Sequence, residues 1–225
     1  MPPATPTFTL TPDATNRLMS IVVNNGGSTV SYNRVWRATP TEYNGAFICI
    51  TQLLAQDGTF FDLNIASGLT YSYYVTAVDG SGATATSITK SDSLTLTDSV
   101  LHSVPPKNSA TANGSNDAYY LEIGETRQYG RASQLSQVIN SIVPVTSSSD
   151  IQDDQIALTI RVPSAADSKR ETLRNAYISR LYLCLRNVVG SKWFGVLLNY
   201  GESYDYGFVD LNLTFGISDY NESVI

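Results

Sequence analysis

The stretch YYVTAVDGSGATATS, from Tyr73 to Ser87, decides the fold of the first half of the chain. Its first residues continue an alternation of side chains that starts at Tyr71, which is typical of a half-buried strand. Asp79-Gly80 follows, and Asp-Gly between two such runs indicates a hairpin. A phosphate-binding loop would need a helix and a nearby Lys, and a calcium loop would need more oxygen ligands than Asp79 provides. The stretch therefore predicts a strand, a turn and a second strand.

Short strands at regular spacing surround this hairpin, from Thr7 to about Thr97, in the pattern of a β-sandwich. The segment YNRVWRAT, from Tyr32 to Thr39, resembles the third strand of a fibronectin type III domain. The segment GLTYSYYVTAVDGSGATATS, from Gly68 to Ser87, resembles the last two strands of that domain, with Tyr71 at its corner position. We therefore predict a fibronectin type III-like β-sandwich over residues 1–98.

A change of composition follows the sandwich. Pro105-Pro106 precede a cluster of Ser, Asn and Gly residues, and such residues stiffen the chain or fail to form a core. This composition predicts a linker over residues 99–117 and a second domain over residues 118–225.

The second domain contains one predicted helix, Asp167 to Arg180, between strands. Asp or Ser is expected to cap its start, and Leu173, Tyr177 and Leu181 follow at helical spacing. Alternating apolar residues predict one strand before the helix, which Pro163 ends, and three strands after the helix. These strands are expected at Ile156 to Val162, Leu181 to Val188, Trp193 to Tyr200 and Phe208 to Ile217.

Three segments of this second half carry a resemblance to a known family. They are YLEIGETRQYGR (120–131), LYLCLRNVVGSKWFGVLLNY (181–200) and FVDLNLTFGISDYNE (208–222). Together they are similar to the C-terminal half of minor tail and distal tail (tail-tip) proteins of double-stranded DNA bacteriophages. Leu101-His102 with Pro105-Pro106 is similar to an element of the linker in that family.

The resemblance implies a mainly β chain whose second domain has a tail-tube or distal-tail-like fold with one helix. It implies a non-enzymatic structural protein of the virion tail, tail tip or baseplate, assembled in the host cytoplasm. The expected partners are copies of the chain itself, in a homo-oligomeric ring that is hexameric in the family, and other phage tail proteins. DNA would only pass through the channel of such a ring.

Composition agrees with these expectations. The net charge of −6 and the pI near 4.7 disfavour specific binding of nucleic acid, because an acidic surface repels it. No apolar run approaches the length of a membrane span, and the first residues do not resemble a secretion signal. The two cysteines, Cys49 and Cys184, are expected to be buried thiols, although a disulfide between them is the alternative.

The sequence contains little that could form a catalytic site. His102 is the only histidine, and it is expected to pack or cap within the linker. This position disfavours catalytic mechanisms that need a histidine base, such as Ser-His-Asp or Cys-His. No zinc spacing, nucleotide-binding motif or nucleophile elbow occurs. We therefore expect no enzymatic activity and no cofactor or metal.

Aromatic and apolar residues provide the candidates for an interface. Tyrosine is twice as frequent as phenylalanine, and several tyrosines cluster in NYGESYDYG (199–207), where they could pair across strands, form a subunit interface or stack on sugars. The segment Thr126 to Asp154 has too few apolar residues for its own core. The candidate interface residues are Val138, Ile139, Ile142, Val143, Tyr204 and Tyr206. A glycan-binding or host-adhesion module is the alternative function, and a hydrolase with an accessory sandwich is a weaker third.

Overall fold

The structure is a computed structural model that describes residues 2–39, 41–104, 108–114, 119–120, 125–136 and 145–225; between residues 119 and 154 the description concerns the backbone. The protein is mainly β, as predicted, with one α-helix in these ranges. Its elements are β1 (Thr7–Asp13), β2 (Leu18–Asn24), β3 (Tyr32–Ala38), β4 (Ile48–Leu54), β5 (Thr59–Asp62), β6 (Thr70–Val78), β7 (Thr84–Thr86), β8 (Lys90–Ser93), β9 (Val100–Ser103), β10 (Tyr119–Tyr120), β11 (Glu125–Ser136), β12 (Val145–Pro163), α1 (Asp167–Ile178), β13 (Leu183–Arg186), β14 (Lys192–Asp205) and β15 (Phe208–Ile217).

The chain forms two compact units. Unit 1 comprises Met1–Tyr120, Tyr182–Phe194 and Tyr220–Ile225, and unit 2 comprises Leu121–Leu181 and Gly195–Asp219. Two short segments from late in the chain thus belong to the same unit as the first 120 residues.

Two antiparallel sheets form most of unit 1. The first has the strand order β1-β2-β5, and the second has the order β4-β3-β6-β7, with β8 also paired to β6. Apolar residues of both sheets share one core, because each strand turns alternate side chains inward. The core contains Phe8, Met19, Ile21, Val23, Val35, Ile48, Ile50, Leu54, Phe60, Ile65, Tyr71, Tyr73, Val75, Leu94 and Leu96.

The predicted hairpin of unit 1 is confirmed. β6 pairs antiparallel with β7, with Val78 opposite Thr84. The carboxylate of Asp79 accepts hydrogen bonds from the backbone N–H groups of Ser81 (2.8 Å) and Ala83 (2.9 Å), so the Asp stabilises the turn itself. The alternation that begins at Tyr71 has the predicted inward face, and the side chains on that face are fully buried.

The residues expected to form a linker contain ordered structure. β9 pairs with β13 and β10, and its residues Val100 to His102 are fully buried. Further along, the carbonyl oxygen of Thr111 accepts a hydrogen bond from the Phe61 N–H at 2.8 Å. Pro105 and Pro106 lie outside the described residues. The boundary over residues 99–117 stays a prediction.

Unit 2 contains an antiparallel sheet with the order β14-β15-β12-β11 and the helix α1. The apolar alternation predicted for β12 and β15 is confirmed. The buried side chains of these two strands are Ile156, Leu158, Ile160, Val162, Val209, Leu211, Leu213 and Phe215.

The helix differs from the prediction at both ends. Ala166 occupies the N-cap and makes no side-chain cap, so the expected Asp or Ser cap is wrong. At the other end Arg180 has φ 49°, and the Leu181 N–H bonds to the Ala176 carbonyl oxygen at 3.0 Å. This is a Schellman-type ending, with Arg where Gly is usual. Leu181 therefore leaves the helix and is exposed, while Leu173 and Ala176 are buried.

β11 and β12 continue beyond the sheet as a two-stranded ribbon. Residues 155–163 of β12 pair with β15, whereas residues 145–148 and 152–154 pair only with β11 among the described residues. The register shifts between Arg131 and Ser133, so residues 149–151 form an irregularity in the ribbon. We call residues 130–136 and 145–154 the outer ribbon.

Candidate interaction surface

The tip of the hairpin formed by β14 and β15 exposes large aromatic side chains. Tyr204 is 73% exposed and Tyr206 is 100% exposed, and Phe208 beside them is 43% exposed. Two of the six predicted interface residues therefore lie on an open surface of unit 2. The other four, Val138, Ile139, Ile142 and Val143, lie outside the described residues.

Tyr204 belongs to a polar cluster on one face of β14, which Tyr200 and Glu202 share. The two tyrosine hydroxyls each donate to Glu202, from Tyr200 to Oε1 and from Tyr204 to Oε2, both at 2.6 Å. These hydrogen bonds lower the pKa of the Glu202 carboxyl, Tyr200 contributing most, so it is a stable anion. Burial and the bond to this anion raise the pKa of Tyr200. The carboxylate of Glu202 thus holds the hydroxyl ends of the Tyr200 and Tyr204 rings in place.

Helix α1 lies beside this cluster. The rings of Tyr177 and Tyr200 stack with centroids 6.2 Å apart, and the Tyr200 hydroxyl is 3.3 Å from the Arg170 carbonyl oxygen. The guanidinium of Arg170 lies 3.7 Å from the Glu202 carboxylate. A cavity of about 260 Å³ separates the helix from the strand here, and its lining residues are Arg170, Glu171, Arg174, Glu202 and Tyr204.

A second cavity of about 380 Å³ lies between the same helix and strand, and it is more apolar. Ile178, 63% exposed, and Leu198, 49% exposed, contribute large aliphatic side chains to this surface. The lining residues are Tyr177, Ile178, Arg180, Val196, Leu197 and Leu198. We call the residues that line the two cavities the helix–hairpin groove. It combines aliphatic side chains with aromatic rings and arginines, and the last two are residue types enriched at protein interfaces.

Unit 1 contains a buried ion cluster that the sequence patterns did not predict. The Arg37 guanidinium donates to both carboxylate oxygens of Asp62 at 2.9 Å and to Glu222 Oε2 at 2.6 Å. Lys192 Nζ is 2.7 Å from Glu42 Oε1 and 2.9 Å from Glu222 Oε2. The Asp62 and Arg37 side chains are at most 1% exposed.

The charges of this cluster stabilise one another. Burial alone opposes ionisation of Asp62, but Arg37 and hydrogen bonds from Asn113 and Arg37 outweigh it and lower the pKa of the carboxyl. Burial also opposes the charge of Lys192, yet Glu222 and other anionic neighbours raise its pKa. Removing one partner of such a cluster leaves a buried charge uncompensated. The cluster therefore holds together the segments of unit 1 that contribute its residues.

Tyr71 connects the cluster to the core of unit 1. Its hydroxyl accepts a hydrogen bond from the Ala66 N–H at 2.8 Å and is 3.1 Å from Glu42 Oε1. Burial raises the pKa of Tyr71 to about 12. The bond from Ala66 links Tyr71, near the start of β6, to the backbone five residues earlier.

His102 lies in β9 directly opposite Cys184 of β13, and both side chains are fully buried. His102 packs in the interior of unit 1, which agrees with the expected packing role, and it makes no cap, because neither ring nitrogen has a hydrogen-bond partner among the described residues. Burial raises the pKa of the Cys184 thiol to about 12, and burial, with Arg186, lowers the pKa of His102 well below 6.5. The thiol is therefore protonated and inaccessible, which is unsuited to a Cys-His nucleophile.

Cys49 is also a free buried thiol, and burial raises its pKa to about 11. The expectation of two buried thiols is confirmed. In the part of the chain that the structure describes, no group of three or more His, Cys, Asp or Glu side chains could hold a metal ion. No helix in that part is long and apolar enough to cross a membrane.

Comparison with protein-family models and with curated proteins finds no match to this chain.

Proposed function

We propose that this protein is a non-enzymatic structural component of a bacteriophage tail that forms or decorates a ring at the tail tube or tail tip. The observation that carries the proposal is the outer ribbon of unit 2. Its strand β11 pairs only with β12, and no strand lies along its other edge in the part of the chain that the structure describes. A bare strand edge tends to pair with another chain.

The ribbon requires a further layer for stability. A two-stranded hairpin is marginally stable in water by itself, and stability normally needs a third strand or a packed face. The sequence of residues 145–154, VTSSSDIQDD, offers little apolar surface for such packing. A neighbouring copy would provide the missing contacts, and repeated contacts of this kind close into a ring.

The fold of each unit supports the same proposal. The sheet orders of unit 1 and the hydrogen bond from Ala66 N–H to the Tyr71 hydroxyl fit a fibronectin type III-like sandwich. Unit 2, with one described helix and an antiparallel sheet, fits the tail-tube or distal-tail-like domain that the sequence resembles. In this proposal the virion holds a homo-oligomeric ring, hexameric as in that family, beside other tail proteins. An acidic protein suits a channel through which DNA slides without binding.

Self-association of the full chain tests the proposal. We expect oligomers in sedimentation velocity at high concentration, and we expect the double substitution Ile139→Lys and Ile142→Asp to abolish them. The matched control is Ile88→Lys, because Ile88 is an aliphatic residue of unit 1 that is 74% exposed. A chain that stays monomeric at every concentration and does not bind phage tail components would contradict the proposal.

A glycan-binding or host-adhesion module is the second candidate. The exposed ring of Tyr204 beside the Glu202 carboxylate favours it, because sugars stack on aromatic rings and donate hydroxyl hydrogen bonds to carboxylates. Retention of a monomeric chain on bacterial glycan, lost in Tyr204→Ala, would favour this function over the structural one.

A further inference from the structure

We propose that the helix–hairpin groove of one copy binds the outer ribbon of a second copy, so that the chain assembles head to tail. This inference rests on the proposed function, because it names the surface that covers the ribbon in the ring. Both surfaces belong to unit 2.

The groove has cationic side chains available for an acidic partner. Arg174 and Arg180 form no salt bridge with any residue that the structure describes, although Arg174 lies close enough to Glu202 to influence its pKa. Glu202 is already engaged by two tyrosine hydroxyls and by Arg170. Glu171 is the other acidic residue of the lining. Three arginines against two glutamates leave the groove with a charge of +1, in a chain whose net charge is −6.

The outer ribbon has the complementary composition. Its β12 part, VTSSSDIQDD, contains Asp150, Asp153 and Asp154 and no basic residue, and its β11 part, residues 130–136, contains one basic residue, Arg131. Three negative charges and one positive charge give −2. The opposite signs of ribbon and groove favour their association over the pairing of two ribbons.

Apolar and charged residues lie side by side in the groove. In a helix, residues four apart are neighbours at about 6 Å. Arg174 and Ile178 are four apart and line the charged and the apolar cavity respectively. The groove therefore offers an aliphatic and a cationic residue next to each other, and the ribbon sequence contains Ile151 close to Asp150 and Asp153.

Two different surfaces of one chain that fit each other make a heterologous contact. Such contacts form a ring when the rotation between copies closes, and a filament when it does not. The groove and the ribbon thus give the direction of assembly, from the ribbon of one copy to the groove of the next.

A charge exchange in the full chain tests the inference. We expect Arg174→Glu alone and Asp153→Arg alone each to raise the dissociation constant of the oligomer about tenfold or more in sedimentation velocity, because like charges face each other. The double variant should recover most of the affinity. The control is Lys169→Glu, which makes the same change of charge on the same helix at a residue that lines neither cavity. Thermal unfolding of each variant should match that of the wild type.

The possible outcomes separate the inference from the function it rests on. Oligomers that persist unchanged in both single variants would overturn the ribbon-to-groove contact and leave the ring proposal standing. Loss of affinity in both single variants without recovery in the double variant would also overturn the direct contact. A wild-type chain that is monomeric at all concentrations would overturn both.

Discussion

Arg37 and Glu222 are 185 positions apart in the sequence, yet the guanidinium Nη2 of one donates to the carboxylate Oε2 of the other across 2.6 Å. Both side chains are almost completely buried. The pair links the segment Tyr220–Ile225 to strand β3, and both belong to unit 1. The stability of unit 1 therefore depends on residues that are far apart in the sequence.

The first prediction concerns this pair. Arg37→Met should reduce the free energy of unfolding by about 3–5 kcal/mol, because it leaves the buried carboxylates of Asp62 and Glu222 with one cation fewer. Urea denaturation followed by fluorescence measures the change. The control is Asp98→Asn in the more exposed pair Arg17–Asp98, which should cost at most about 1 kcal/mol. Equal small losses in both variants would show that the buried cluster contributes no more than a surface ion pair.

The second prediction concerns pH and His102. Its pKa is lowered by burial, and by Arg186, to well below the unfolded value of 6.5, so below pH 6.5 the unfolded chain binds a proton that the folded chain does not. Stability should therefore fall as the pH decreases from 6.5, by up to about 1.4 kcal/mol per pH unit. Asp62, whose folded pKa is lowered, adds a loss only below its unfolded pKa of 3.8.

Urea denaturation between pH 5 and pH 7.5 isolates the contribution of the histidine, because His102 is the only one in the chain. The slope should be smaller in His102→Gln, whatever its stability at pH 7.5. A wild-type slope equal to that of the variant would mean that His102 titrates normally in the folded state.

The third prediction concerns the packing of α1. Leu173 is fully buried, so Leu173→Ala should cost about 2–5 kcal/mol through the cavity that it creates. Asn175→Ala, at an exposed position of the same helix, should change stability by less than about 0.5 kcal/mol. Chemical denaturation of the two variants side by side checks this. Similar values for both would mean that the helix is not packed against the rest of unit 2.

The fourth prediction compares two glycines of β14. A Cβ added at Gly195 would collide with the backbone carbonyl oxygen of Gly216 in β15, whereas a Cβ added at Gly201 would lie 3.6 Å from the Asn212 carbonyl oxygen. Gly195→Ala should therefore destabilise the protein by about 1–3 kcal/mol, and Gly201→Ala should be tolerated. Thermal unfolding distinguishes the two, and a tolerated alanine at Gly195 would indicate that the strands separate there without cost.

Local patterns in the sequence predicted much of the fold. The hairpin of β6 and β7 and the buried faces of β12 and β15 were predictable, because period-two alternation and an Asp-Gly turn depend only on neighbouring residues. The end of α1 was not predictable in this way. Its left-handed residue is Arg180 rather than Gly, so the usual signal for a helix end is missing.

The ion cluster was harder to predict, because its members are brought together only by the tertiary fold. One signal was available in the sequence. Arg37 follows Val35 by two residues on a strand, and a charged residue on the same face as an apolar core residue requires a buried partner. Nothing local indicates that the partners are Asp62 and Glu222, which are 25 and 185 positions away. Of the predicted interface, Tyr204 and Tyr206 are exposed, while the arginines of α1 that line the groove were not singled out.

The ring that we propose for this chain can be imaged directly. Negative-stain electron microscopy of the purified full chain at high concentration tests it most directly. We expect class averages with a closed ring and a central channel, and we expect the rings to disappear in the Ile139→Lys and Ile142→Asp variant. Averages that contain only single two-unit particles, from a chain that also binds bacterial glycan, would contradict the claim and support an adhesion module instead.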